Sequence, residues 1–118
     1  MLEHVDHLRE MHPKVLGGCR IDIPKGWESL LDHLAKEIEI KGSGDIVLLS
    51  ATERWGRMMC SAETTNDDIE SILSEYEKMS TRICMLCSKP AKLHASADGR
   101  WLATLCSICA NEEGFYEI

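Results

Sequence analysis

The chain has few aromatic side chains and no long apolar run. Aromatic residues make up 5% of its 118 residues, and no apolar segment approaches the ~18 residues that a membrane-spanning helix needs. The N-terminal segment, residues 1–6, carries acidic residues instead of an apolar stretch, so it does not resemble a secretory signal. We therefore expect a cytoplasmic protein of about one domain, in a compartment that keeps thiols reduced.

Basic residues are scarce relative to acidic ones, and the formal net charge is −7. Residues 1–79 contain 16 acidic and 9 basic side chains, whereas residues 80–118 contain four of each. Non-specific binding to duplex DNA relies on several Lys and Arg side chains that neutralise phosphates. Neither part has such an excess, which disfavours a simple DNA-binding finger but leaves room for a local basic strip.

Recognisable catalytic motifs are also lacking. The chain has no Gly-rich phosphate loop, no nucleophile elbow and no paired-carboxylate motif. Glu37 and Glu39 cannot share one helix face, and the other acids are expected to be solvated. An enzyme with its site in the N-terminal part is therefore the weakest of three functional classes, and we expect a protein that is not an enzyme.

What the chain does have is two CxxC knuckles, Cys84-x-x-Cys87 and Cys106-x-x-Cys109, with 18 residues between them. This spacing fits the template for zinc sites, in which about 15–20 residues separate two knuckles. Four thiolates complete a tetrahedron and leave no open position for water or substrate, so we predict a structural Zn²⁺. An iron–sulfur cluster on the same four ligands is the alternative.

The segment between the knuckles predicts a β-hairpin. Asp98-Gly99 is a hairpin turn signal, and residues 100–105 are compatible with a strand. Such a hairpin fits both a zinc ribbon and a treble clef, in which the second knuckle opens a helix. Residues 107–113 could supply one short helical turn before Gly114, which slightly favours the treble clef. We predict a four-cysteine zinc-binding module over residues 81–118, packed on an N-terminal domain over residues 1–80.

The N-terminal part predicts an α+β fold of two amphipathic helices and a short β-hairpin. The first of these helices follows Gly26 and the second spans 67–80, capped by Asn66 or Thr65. A shorter helix is expected over 2–11. The apolar stripes of the two main helices are Trp27, Leu30, Leu31, Leu34, Ala35 and Ile38, and Ile69, Ile72, Leu73, Tyr76 and Met79. Residues 45–62 predict a hairpin with its turn at 52–56.

The remaining cysteines and the histidines are weaker candidates. Cys19 and Cys60 are isolated, and buried small side chains are a commoner role for such residues than redox chemistry. His4, His7 and His12 cluster near the N-terminus; His4 and His7 would share a helix face and could bind metal, although solvated histidines on a helix are more frequent.

Two further histidines stand apart from this cluster. His94 could replace a cysteine ligand, but four well-spaced thiols favour an ordinary strand side chain. His33 is expected at a helix surface.

Each of the three tryptophans stands beside a glycine or a turn. Trp27 follows Gly26, Trp55 precedes Gly56, and Trp101 follows the Asp98-Gly99 turn signal. We expect all three to anchor the core at the start of an element. The alternative is that some of them form an aromatic contact patch for a partner.

The order of these pieces resembles a family of small uncharacterised phage and prophage proteins. The resemblance covers most of the chain and runs through residues 12–16 (HPKVL), 26–32 (GWESLLD), 53–58 (ERWGRM), 84–93 (CMLCSKPAKL) and 99–109 (GRWLATLCSIC). It implies a phage-type origin and brings no established activity. Where the family has an aromatic-Gly-Gly-Leu-Arg-aromatic stretch, this chain has Trp55-Gly56 followed by RMMC, which alters the outer face of the hairpin.

Small size, an acidic balance, a closed metal site and the lack of a catalytic motif favour a non-enzymatic protein that binds and modulates a host protein complex. One specific version is an inhibitor of host defence, such as an anti-CRISPR protein, because acidic surfaces can compete for basic nucleic-acid channels. The second class is a zinc-finger transcription regulator. The cysteine spacing resembles GATA-type fingers, and phosphate contacts would come from Arg82, Lys89, Lys92 and Arg100.

Overall fold

The computed structural model of the chain describes residues 3–42, 46–64 and 66–118, and it describes Glu3 and His4 without their side chains. The fold is α+β, as predicted, with four α-helices and two three-stranded sheets in the described residues. In chain order the elements are α1 (Glu3–Met11), β1 (Arg20–Asp22), α2 (Glu28–Lys41), β2 (Leu48–Arg54), β3 (Arg57–Ala62), α3 (Asp67–Ser80), β4 (Lys92–Ser96), β5 (Leu102–Leu105), α4 (Ser107–Glu113) and β6 (Phe115–Glu117).

The first sheet has the order β1-β2-β3. Strand β1 runs parallel to β2, with Ile21 opposite Ala51, and α2 forms the connection between them. The sequence did not predict β1, because three residues with one buried apolar side chain carry no readable alternation. Their pairing partner lies 30 residues further along the chain and is found only when the fold forms.

Helices α2 and α3 bury most of their predicted apolar stripes in one core, in which α3 packs on β3 and α2 packs on α3. All six residues of the first stripe are buried: five lie on α2, and Trp27, in a short 3-10 helix ahead of it, is completely enclosed. Asn66 caps α3, since its side-chain oxygen accepts the backbone N–H of Asp68 at 2.9 Å; the alternative cap, Thr65, lies outside the described residues. Met79 was wrongly assigned to the apolar stripe: it is exposed, and Ser80 is the buried residue at that end.

The predicted hairpin is present, but its turn is shorter than expected. Strand β2 continues to Arg54, so the turn consists of Trp55 and Gly56 alone. Both residues have positive φ, 55° and 80°, as the two central residues of a type I′ turn require. A two-residue turn of this type matches the right-handed twist of the strands that it joins.

The second sheet, of order β5-β4-β6, carries the C-terminal module. The predicted hairpin between the knuckles forms β4 and β5, and the second knuckle opens α4, as predicted for residues 107–113. Gly114 ends this helix with φ of 76°, and the chain returns as β6 beside β4. Strand β6 was not predicted, because its three residues have no apolar alternation.

The two halves of the chain share one side chain between their cores. Met85 packs against the large N-terminal core and also against the small core around Cys84 and Ala103. The indole N–H of Trp27 donates to the carbonyl of Ile83 at 2.9 Å. The C-terminal module is therefore held against the N-terminal part by both apolar and polar contacts.

Candidate metal centre and adjoining surface

The fold brings together the four predicted cysteines. The sulfurs of Cys84, Cys87, Cys106 and Cys109 all lie within 4.8 Å of one another, and they form the only cluster of three or more potential metal ligands in the described ranges. In a tetrahedral site with metal–sulfur bonds of about 2.3 Å, sulfurs are about 3.8 Å apart. The Cys87 and Cys106 sulfurs are 3.6 Å apart. The donor set and its size therefore fit a single metal ion.

The first knuckle is a tight turn that follows α3. The N–H of Cys84 donates to the carbonyl of Lys89 at 2.8 Å, and Ser88 adopts a positive φ of 70° that reverses the chain. The N–H of Leu86 points at the Cys84 sulfur at 3.5 Å. Backbone donors of this kind orient thiolate ligands and offset their negative charge.

The second knuckle uses the start of a helix. Cys106 is the N-cap residue of α4, and its sulfur accepts the N–H of Cys109 at 3.4 Å. Cys109 lies in the first turn of the helix and is buried. Each knuckle therefore contributes one N–H···S contact to the cluster. The first knuckle does so from a turn and the second from the start of a helix.

The protein environment favours the thiolate form of one cysteine in each knuckle, Cys84 and Cys106, whereas hydrogen bonds with the neighbouring sulfurs raise the pKa of Cys109 and Cys87. Burial raises the pKa of Cys84, but backbone N–H groups of both knuckles donate to its sulfur and bring that pKa down to about 6. The N–H of Cys109 likewise lowers the pKa of Cys106. Thiolates are the form that binds metal, so these two sulfurs are prepared as ligands.

Gly26 lies directly against the first knuckle. Its N–H donates to the carbonyl of Met85 at 2.8 Å, and its own carbonyl accepts the hydroxyl of Ser88 at 2.7 Å. A Cβ atom at this position would lie 2.1 Å from the carbonyl oxygen of Cys84, so only glycine allows the approach. The residue before α2 thereby fixes the position of the knuckle.

The tip of the β2–β3 hairpin makes a second contact with the module. The hydroxyl of Thr104, in β5, donates to the carbonyl of Gly56 at 2.6 Å, and both residues are buried. A Cβ atom on Gly56 would come within 2.9 Å of a methyl group of Leu93. The hairpin turn is therefore fixed to the sheet that carries the second knuckle.

Only one of the three tryptophans anchors the core. Trp27 is fully buried, as expected, whereas Trp55 is 66% exposed and Trp101 is 69% exposed. The prediction of core packing is therefore wrong for Trp55 and Trp101. Both lie at turns that project from a sheet edge, where the flanking residues, and not the indole rings, make the buried contacts.

The two exposed tryptophans line one open cavity of about 590 Å³. It lies between the tip of the β2–β3 hairpin and strand β5, so each half of the chain contributes a wall. Apolar and cationic side chains line it together. The remaining lining residues are Glu53, Arg54, Met85, Arg100, Leu102, Ala103 and Phe115.

The other candidate residues lie apart from the cysteine cluster. Cys19 is buried, and burial raises its pKa to about 11 and that of Cys60 to about 12, which suits unreactive thiols. His94 is a buried side chain of β4, and its Nδ1 lies 2.8 Å from the carbonyl of Lys92. His33 is exposed, as predicted.

His12 is the residue whose role the sequence did not reveal. It is buried between two carboxylates, with Nε2 2.7 Å from Asp32 and Nδ1 3.0 Å from Glu39. The expectation that the N-terminal histidines and the helix acids are solvated is therefore wrong here. Asp32 and Glu39 lie seven residues apart on α2, which places them two turns apart on the same helix face. This spacing is the sequence signal that could have indicated a shared partner for the two carboxylates.

The contacts of His7 do not support the alternative in which His4 and His7 bind a metal together. The His7 Nε2 lies 2.9 Å from a carboxylate oxygen of Glu28, and the side chain is half exposed. The side chain of His4 lies outside the described residues.

No family model, curated protein or solved structure matches the chain. Within the residues that the structure describes, no helix combines the length and the apolar character needed to cross a membrane.

Proposed function

We propose that this is a non-enzymatic binding protein of a phage or mobile element, which contacts a host protein complex through the surface that contains Trp55 and Trp101. The observation that carries the proposal is the exposure of both indole rings around one cavity. Tryptophan is enriched among the residues that dominate binding energy at protein interfaces. Two such side chains, turned outward on elements fixed by buried contacts, form a pre-organised binding surface.

The conformation of Trp55 supports this proposal. A left-handed backbone conformation costs a residue with a side chain about 1–2 kcal/mol relative to the right-handed one. Asn or Gly would normally occupy this position of the turn. A tryptophan that is 66% exposed and has φ of 55° gives the folded protein little packing in return, so a role in binding accounts for it.

We further propose that the four cysteines hold a structural Zn²⁺ in a treble-clef module. Four thiolates and a hairpin between the knuckles suit either zinc fold, and the helix that starts at Cys106 favours the treble clef. Zn²⁺ prefers tetrahedral thiolate sites of this kind, and a site with four protein ligands is closed to substrate. The metal would fix Trp101 relative to Trp55 and take no part in a reaction.

Affinity capture tests the binding function. The zinc-loaded protein, immobilised on beads, is incubated with lysate of a cell that hosts the encoding element, and the retained proteins are quantified by mass spectrometry. We expect a specific complex that Trp101→Ala loses and Ile40→Ala keeps, because Ile40 is also an exposed apolar residue but lies on α2, outside the cavity lining. Retention of nothing, or equal retention by both variants, would contradict the proposal.

A zinc-finger regulator is the second candidate, favoured by Arg54 and Arg100 beside the two exposed indoles. Aromatic rings and arginines are the groups that bind single-stranded nucleic acid. Such binding would weaken with rising salt and would be lost in Lys92→Glu and Arg100→Glu. Absence of a gel shift at low salt would remove this candidate.

A further inference from the structure

The outer edge of β5 is open where it borders the cavity. Peptide groups alternate in direction along a strand, and the carbonyl of Trp101 accepts the N–H of Ser96 on the β4 side. The N–H and C=O of Thr104 point the other way, to the sulfur of Met85 at 3.2 Å and its N–H at 2.9 Å. Leu102, two residues before Thr104, directs its peptide groups to this same outer side.

The peptide groups of Leu102 therefore face the cavity without a neighbouring strand. Met85 covers the edge at Thr104, and no further hydrogen bond joins Leu102 to another segment among the described residues. An unpaired N–H and C=O on an exposed sheet edge form a ready template for an extended polypeptide. The sugar–phosphate backbone of a nucleic acid presents acceptors without the amide donors that such main-chain pairing needs.

The cavity rim is cationic in a protein that is otherwise acidic. Arg54 makes no ion pair with any carboxylate that the structure describes, and Arg100 reaches only Asp98, at 3.9 Å in an exposed pair. The third charged lining residue, Glu53, already accepts the N–H of Gly56 at 2.9 Å. Two guanidinium groups are thus available for carboxylates of a partner.

The interior of the cavity is apolar. Met85, Ala103 and Phe115 line it between the two exposed indoles. Its volume of about 590 Å³ exceeds that of a single side chain and lies within the range of small-ligand sites. A large aliphatic or aromatic side chain would be enclosed on several sides.

We infer that the partner contributes an extended segment that pairs with Leu102 of β5, inserts an apolar side chain between Trp55 and Trp101, and places flanking Asp or Glu carboxylates on Arg54 and Arg100. This inference rests on the proposed function and adds to it the chemistry of the partner. It describes strand addition at a sheet edge, in which main-chain hydrogen bonds provide affinity and the side-chain pocket provides specificity.

The test uses fluorescein-labelled peptides of about nine residues, whose extended length spans the strand edge. One set has a central Leu, Ile, Phe or Trp with Asp and Glu flanks, and a matched set replaces the acids by Lys. Binding to the zinc-loaded protein is measured by fluorescence polarisation. We expect binding by the acidic set that weakens about tenfold or more with Trp101→Ala, with the double variant Arg54→Glu/Arg100→Glu, and with N-methylation of the peptide at its central residue.

Two matched variants serve as controls. Ile40→Ala and Arg20→Glu change exposed residues outside the cavity lining and should bind as the unmodified protein does. Circular dichroism shows whether each variant remains folded. Hydrogen exchange gives an independent readout, because the amide of Leu102 should exchange more slowly in the complex than in the free protein.

Several outcomes would overturn the inference: no binding by any peptide, equal binding by the lysine set, no effect of N-methylation, or preferential binding of a thymidine oligonucleotide. A dimer in sedimentation that Trp101→Ala dissociates would identify a second copy of the chain as the occupant and overturn it as well. If affinity capture depends on Trp101 while the peptide tests fail, the proposed function stands and only the strand-addition inference fails.

Discussion

The hydroxyl of Thr104 donates a buried hydrogen bond of 2.6 Å to the carbonyl of Gly56, which joins the tip of the β2–β3 hairpin to strand β5. Through this bond the turn that presents Trp55 is fixed to the strand that follows Trp101. This bond, the neighbouring contact of Gly56 with Leu93 and the packing of Met85 between the two cores therefore hold the two exposed indoles at a fixed separation.

Loss of this bond should destabilise the protein. Thr104→Val keeps the side-chain shape and leaves the Gly56 carbonyl buried without its donor, which costs about 1–3 kcal/mol. We expect a decrease of that size in the free energy of unfolding measured with urea. Thr81→Val is the matched control: its hydroxyl also donates to a carbonyl, that of Lys78, but this bond is exposed. Equal effects of the two substitutions would argue against a special role for Thr104.

Gly26→Ala should disturb the contact between the first knuckle and the N-terminal part. The added Cβ atom would meet the backbone of Cys84 and Met85, which cannot move aside as a flexible side chain can, so we expect a loss of about 1–3 kcal/mol. Gly18→Ala provides the control, because no atom lies within 4 Å of a Cβ built there. Thermal unfolding of both zinc-loaded variants measures the difference.

Elemental analysis and absorption spectroscopy test the prediction that the four cysteines bind zinc. We expect about one zinc ion per chain by elemental analysis and, after cobalt substitution, the absorption of four thiolate ligands. Cys84→Ser should abolish both and unfold residues 81–118, since a structural zinc contributes on the order of 10 kcal/mol. Cys60→Ser, outside the cluster, should retain the metal. Iron with sulfide in the purified protein would point to an iron–sulfur cluster instead.

Acid should weaken the contact of His12, the residue that follows α1, with Asp32 on α2. The hydrogen bond from His12 lowers the pKa of Asp32 below its usual range. A depressed carboxylate pKa adds stability above the unfolded value of about 3.9, and this stability is lost as the pH falls through the folded pKa. Asp32→Asn should therefore be less stable than the unmodified protein at pH 6, with the gap narrowing below about pH 4. Both proteins would lose zinc in acid. The difference between their free energies of unfolding, measured at each pH, therefore removes this shared effect.

Trp55→Asn should separate stability from binding. Asn adopts positive φ more readily than Trp, so the variant should be more stable by up to about 1 kcal/mol. If Trp55 contacts a partner, the same substitution should abolish capture of that partner. A variant that is less stable than the unmodified protein would show that the indole supports the fold, contrary to its exposure.

The sequence by itself determined the parts of this protein that depend on local spacing. Two CxxC knuckles at this separation predict four converging sulfurs, and the 3.6-residue repeat of Trp27 through Ile38 predicts a buried helix face, because both patterns are set by residues that are near neighbours along the chain. Asp98-Gly99 predicted the second hairpin for the same reason.

Only the tertiary structure decided which side chains face solvent and which segments meet. Trp27 and Trp101 look alike in sequence, each at the start of an element, yet Trp27 is completely buried, with its indole N–H bonded to the carbonyl of Ile83, while Trp101 is exposed. The burial of His12 and the parallel pairing of β1 likewise depend on residues 20 or more positions away. Burial is a property of the whole packed chain, so no local pattern could have assigned the exposed indoles to one shared cavity.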